Sequence, residues 1–198
     1  MGVKPYREAS RDLKLGDLLL LEHEQQRTLL TELHGAGWER GTALFRRLAR
    51  MLVVHESAEE VVLYSVVRAN FDDGHRLAGL AATQEDDIKK AVAELQSGDL
   101  SHAHHLSTLA SRNKLRALED MVRAHHDLEE RQIIACLPQV QDALQLGGLA
   151  SAYEMVAHLL PTRGHRHAPS RPLGNVLRGT PVAILDKLRD RRENGADR

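Results

Sequence analysis

The chain of 198 residues is 42% apolar and 28% charged, long enough for one domain with a proper core. Its formal net charge of −1 leaves no global electrostatic footprint for nucleic acid or an anionic membrane. Aromatic residues make up only 3%, which favours helices over a β-sandwich or barrel, and the 12 histidines are the one compositional anomaly.

The apolar pattern predicts four long helices, taken here in chain order. The N-terminal stretch MGVKPYREASRDLKLGD is polar, without a signal-peptide core or a myristoylation pattern. A first helix is expected over roughly 11–34, through Leu18, Leu19, Leu21, Leu29, Leu30 and Leu33, and HGAGWERG stops it. A second is expected over 39–68, through Leu44, Leu48, Met51, Leu52, Val62 and Leu63, followed by the turn ANFDDG. A third covers 74–96, through Leu77, Leu80, Ala81, Ile88, Val92 and Leu95, and QSGDLS breaks it. The fourth starts between 103 and 112 and runs to about 137, through Leu115, Leu118, Met121, Val122, Leu128 and Ile133, with Pro138 marking its end. Short connections imply antiparallel neighbours, so the expected fold is all-α, an up-down-up-down four-helix bundle over residues 1–145. Residues 146–198 read as a C-terminal extension: a short amphipathic helix near 147–161, an Arg-, Pro-, Gly- and His-rich loop over 162–181, and a short helix near 182–192. No apolar run approaches the roughly 18 residues of a membrane span. The single cysteine, Cys136, excludes an internal disulfide and fits a reducing, cytoplasmic setting.

Helices two and four share a local chemistry. His55-Glu56-Ser57-Ala58-Glu59-Glu60 and His125-His126-Asp127-Leu128-Glu129-Glu130 both read His-x-x-x-Glu-Glu. On a helix, positions i and i+4 lie on one face. Leu48, Met51, Leu52, Val62 and Leu63 surround His55 on that face, and Leu118, Met121, Val122, Gln132 and Ile133 surround His125. Both His/Glu pairs therefore sit on apolar stripes. The alternative pair His126/Glu130 has Glu119 and Arg123 beside it and is the poorer inward candidate, a one-residue register alternative. His23 follows Leu19 and Leu20 on helix one, and Glu85 on helix three lies among Ala78, Ala81, Ala82, Ile88 and Val92. Glu59, His55 and Glu85 fall about 11, 15 and 14 residues from the turn near 70–71, hence at a common height of roughly 17–22 Å. Buried imidazoles and carboxylates are costly without partners. Gathered at one level of a bundle, they suit a pair of first-row metals, with iron the first choice and zinc and manganese also compatible.

Other polar residues admit plainer readings. Glu85 could pair with Lys89, Tyr64 reads as a core tyrosine more than a ligand, and Cys136 as a small core residue. His102, His104, His105, His165 and His167 read as solvated histidines. No phosphate loop, nucleophile elbow or aromatic-basic interleaving for nucleic acid is found.

The chain resembles the hemerythrin-like, or HHE cation-binding, proteins over roughly residues 12–140. The resemblance is carried by His23, His55 with Glu59, and His125 with Glu129. The tail is similar to an extension of actinobacterial members. The resemblance implies a non-haem di-iron centre, which an oxo group could bridge. Glu59 and Glu129 would span the irons, His23, His55 and His125 would be terminal ligands, and Glu85 the sixth. An open position would take O2, NO or peroxide. Glu85 stands where the family has His, an anionic donor in place of a neutral one, which argues against simple reversible oxygen carriage. Two further readings stand beside this one. One is an enzyme decomposing peroxide or acting as an oxidase; the other is a metal-free or zinc-bound helical interaction module.

Overall fold

The computed structural model describes residues 13–96 and 108–160, and all regular structure among them is helical. The helices are α1 (Leu15–Gly35), α2 (Trp38–Val61), α3 (Leu63–Asn70), α4 (Gly74–Glu94), α5 (Leu109–Gln132), α6 (Leu137–Val140) and α7 (Ala143–Leu159), with a 3-10 turn over Ile134–Cys136. The expected loop and final helix after residue 161 and the histidines at 102, 104, 105, 165 and 167 lie outside the described residues. Among those described, no helix is long and apolar enough to cross a membrane.

Two apolar clusters organise the bundle. One gathers Leu18, Leu19, Ala58, Leu63, Tyr64, Val67, Leu77, Ala78, Ala81, Leu128, Ile133 and Ile134. The other gathers Leu29, Leu30, Leu33, Phe45, Leu48, Leu52, Ile88, Val92, Leu95, Leu115, Leu118 and Val122. The chain passes from the first to the second along α1, back along α2, out along α4 and back along α5. That alternation is the up-down-up-down arrangement of an all-α four-helix bundle. Between the clusters lies a layer of buried polar residues: His23, Gln26, His55, Glu56, Glu59, Glu85, His125, His126 and Glu129.

Three local features differ from the periodic pattern. The second helix is not continuous: it breaks at Val62 (φ −100°, ψ −61°) and resumes as α3. The sequence there, VVLYSVV, is rich in β-branched residues, and the Ser65 hydroxyl donates to Val61 O at 2.8 Å, a back-bond that bends helices. The fourth helix ends at Gln132 rather than at Pro138, with a similar distortion at Ile133 (φ −114°, ψ −65°). Pro138 instead occupies the first turn of α6, where its missing N–H is harmless. Finally, the C-terminal helix starts at Ala143, before the expected 147, because Asp142 and Gln145 form a reciprocal capping box at 2.8 Å each. Its residues Leu146, Leu149, Ala150, Ala152, Tyr153 and Val156 join the first apolar cluster, and it packs against α1 and α2.

The turn between α3 and α4 leaves no room for a side chain at its end. A Cβ on Gly74 would sit 2.0 Å from Val67 O. Gly74→Ala should therefore destabilise the fold by about 2–3 kcal/mol, lowering Tm by roughly 5–10 °C. A thermal melt of the variant within a degree of wild type would show that the turn is looser than this geometry.

Candidate metal centre

Each long helix brings polar side chains to the buried layer. α1 supplies His23, α2 supplies His55 and Glu59, α4 supplies Glu85, and α5 supplies His125 and Glu129, none more than 2% exposed. Their donor atoms form two four-residue groups: His23, His55, Glu59 and Glu129; and Glu59, Glu85, His125 and Glu129. Within each group the donor atoms lie within 4.8 Å of one another. The groups share the carboxylates of Glu59 and Glu129.

The imidazoles are turned the same way. His23 Nδ1–H donates to Glu130 Oε1 at 2.9 Å, His55 Nδ1–H to Glu22 Oε2 at 2.8 Å, and His125 Nδ1–H to Gln84 Oε1 at 3.4 Å. Each such bond fixes the tautomer and leaves the Nε2 lone pair facing inward. The inward atoms His23 Nε2, His55 Nε2, His125 Nε2, both Glu59 oxygens and Glu129 Oε2 are buried without a hydrogen-bond partner. His23 Nε2 and His125 Nε2 lie 3.4 and 3.5 Å from Glu129 Oε2, and His55 Nε2 lies 3.3 Å from Glu59 Oε2. Buried polar atoms are normally paired, so this many orphans converging at one place require an explanation. Neutral imidazole nitrogens and carboxylate oxygens are metal donors, and a cation would satisfy all of them together.

The electrostatics agree. Burial pushes the Glu59 carboxyl well above the usual carboxylate range, and Glu129 and Glu85 beside it push the same way. Burial also raises Glu85, with Lys89 opposing it. Glu129 goes the other way: burial would raise it, but His125 and His23 outweigh burial and hold it at about 2. Burial lowers His125 to about 4. Carboxyls kept protonated by burial and mutual repulsion are what a bound cation discharges.

Several side chains close to the site were read differently from the sequence. His126 is as buried as His125 (both 1% exposed), so two consecutive residues turn inward. The His126 ring stacks on His23 with centroids 3.9 Å apart and planes 9° apart, and its Nε2–H donates to Gln26 Oε1 at 3.0 Å. His126 also groups with His23 and His55. Parallel stacked rings, however, aim their lone pairs side by side rather than at one point, which suits orientation of His23 better than shared coordination. Glu130 remains partly exposed and holds His23 from outside. Tyr64 does reach the site: its O–H faces Glu85 Oε1 at 2.5 Å and Glu129 Oε1 at 2.8 Å. The Lys89 ion pair with Glu85 also forms, at 3.2 Å, while Lys89 donates to Glu60 at 2.7 Å. Glu56 is fully buried, and neither of its oxygens has a partner. Cys136 is half-buried and away from this layer.

The outer partners are sequence neighbours of the inward residues, and one of them, Glu130, is the second glutamate of the doubled motif. Glu22 precedes His23 and holds His55; Gln84 precedes Glu85 and holds His125; Glu130 follows Glu129 and holds His23. Three of the six inward residues, His23, Glu85 and Glu129, are thus flanked by one that grips an inward histidine of another helix.

A four-helix bundle with a buried His/carboxylate layer of this kind defines a cation-binding helical protein. The Hemerythrin HHE cation binding domain family matches residues 15–137, and the chain belongs to that family. It is similar to an uncharacterized hemerythrin-like protein of Schizosaccharomyces pombe (strain 972), 22% identical over 182 residues, covering 91% of this chain and 87% of the relative. No solved structure matches the chain significantly.

The opposite shifts of the two shared carboxyls give opposite expectations for the metal-stripped protein. Glu59, raised in the folded state, contributes stability below its unfolded pKa, and this is lost as pH rises through the folded value. Glu129, lowered to about 2, contributes stability above its unfolded pKa, and this is lost as pH falls towards 2. At neutral pH, Glu59→Gln should raise the Tm of the stripped protein and Glu129→Gln should lower it. Shifts of the same sign in calorimetry would refute this assignment.

Proposed function

We propose that the chain is a non-haem di-iron protein that binds or reacts with a small ligand: O2, NO or peroxide. The observation that carries this reading is the set of orphaned, inward-facing Nε2 and carboxylate atoms divided into two groups with shared members. His23 and His55 would hold one iron, and His125 and Glu85 the other, with Glu59 and Glu129 common to both. Iron held there would supply an open coordination position and electrons for the small ligand. The apolar clusters on either side keep water out of the layer. Tyr64 keeps a proton between Glu85 and Glu129, where it can be shared with either carboxylate. A reducing cytoplasmic location is part of the same reading.

A second reading, peroxide decomposition at the same centre, is favoured by one observation. Glu85 adds a third carboxylate to the layer, which shifts the donor set towards oxygen-activating ferritin-like sites.

Protein purified without chelator should carry two iron atoms per chain and absorb intensely in the near-ultraviolet when oxidised. His55→Ala or Glu59→Ala should reduce iron below one per chain. Zinc alone, or no metal, would exclude the di-iron reading. In peroxide assays, faster turnover by wild type than by Glu85→His supports the enzyme reading, and equal slow rates remove it.

A further inference from the structure

We propose that Tyr153 on α7, outside the matched family region, is a positioning residue of the metal centre: together with Glu22 it locks the His55 ring so that Nε2 faces the site. The inference rests on the metal reading above.

The tyrosine oxygen lies 2.7 Å from Glu22 Oε2 and 2.8 Å from His55 Nδ1. Glu22 Oε2 and His55 Nδ1 are themselves 2.8 Å apart. The three atoms close a triangle. The phenol O–H donates to Glu22, and the His55 Nδ1–H is shared between the Glu22 carboxylate and the phenol oxygen. This arrangement belongs to the fold and not to a chance rotamer. α7 packs on α1 and α2, the helices that carry Glu22 and His55, and Tyr153 is 1% exposed among apolar neighbours. Phenylalanine or leucine would fill that space as well, and burying a hydroxyl costs free energy unless it is bonded. The hydroxyl's two partners are the carboxylate and imidazole of this one pair.

The three inward imidazoles are held unequally. The Glu130 carboxylate behind His23 is also shared with Arg27 at 2.7 Å. The bond behind His125 is long, at 3.4 Å, and goes to a neutral amide. His55 alone among the three has two hydrogen-bonding groups at its Nδ1. Its carboxylate partner Glu22 is 19% exposed, so without the phenol it can turn towards water. α7 therefore supplies the side chain that keeps Glu22 on His55.

The test compares wild type, Tyr153→Phe, Glu22→Gln and the double variant, each loaded with ferrous iron without oxygen and challenged with a ferrous chelator. Tyr153→Phe should melt close to wild type when metal-stripped, yet release iron about 10–100-fold faster, as loss of outer partners does at other metal sites. The double variant should release iron no faster than Glu22→Gln, because both residues act through His55 Nδ1. In the stripped proteins, ring nitrogen NMR should show the His55 Nδ1 proton exchanging faster in Tyr153→Phe, a readout that does not depend on metal. Wild-type release rates together with unchanged His55 signals would overturn the proposal and leave α7 as packing only. Failure of wild type to take up iron would instead overturn the metal reading, whatever the NMR shows of the Tyr153–His55 bond.

Discussion

The structure depends on one constraint: inward-facing imidazoles and carboxylates occupy the middle of the bundle, where apolar packing would otherwise be continuous. Glu59, Glu129, His23, His55 and His125 present lone pairs to one another across 3.3–3.5 Å without bonding. Such a layer is expensive in a dry interior. The two apolar clusters on either side hold it in place, and the outer hydrogen bonds from Glu22, Gln84 and Glu130 fix its orientation. A cation bound there would satisfy the nitrogen and carboxylate donors at once.

Much of this was legible in the sequence. The four long helical segments and the inward His/Glu pairs followed from apolar stripes, because a stripe reports which face is buried, and the alternating directions followed from the short connections. The common height of Glu59, His55 and Glu85 followed from helical rise. What the stripe does not report is the residue beside a ligand. Glu22, Gln84 and Glu130 look like surface residues because they sit at the edge of each stripe, yet each bonds across to another helix. The repeated Glu-Glu was the available signal: Glu130 reaches His23, and Glu60 reaches Lys89 beside Glu85. His126 looked outward because Glu119 and Arg123 flank it, but stacking on His23 buries it. The breaks at Val62 and Ile133 leave no trace in periodicity, since each resumes helical geometry within a residue or two. Tyr153 could not be placed from local pattern at all, because only the packing of α7 on α1 and α2 brings it to His55.

The layer is asymmetric in a way that bears on chemistry. Towards α1 and α2 it is rich in imidazole, with His126 stacked behind His23. Towards α4 it is rich in carboxylate, with the Tyr64 hydroxyl between Glu85 and Glu129, and with Lys89 linking Glu85 to the exposed Glu60. The two donor groups therefore differ in composition, two imidazoles with two carboxylates on one side and one imidazole with three carboxylates on the other.

The most direct measurement is diffraction from crystals of the protein as purified, recorded on both sides of the iron absorption edge. The account predicts two anomalous peaks in the buried layer, one near His23 and His55, the other near His125 and Glu85, with Glu59 and Glu129 contacting both. An empty layer, or iron found only at surface histidines, would contradict it.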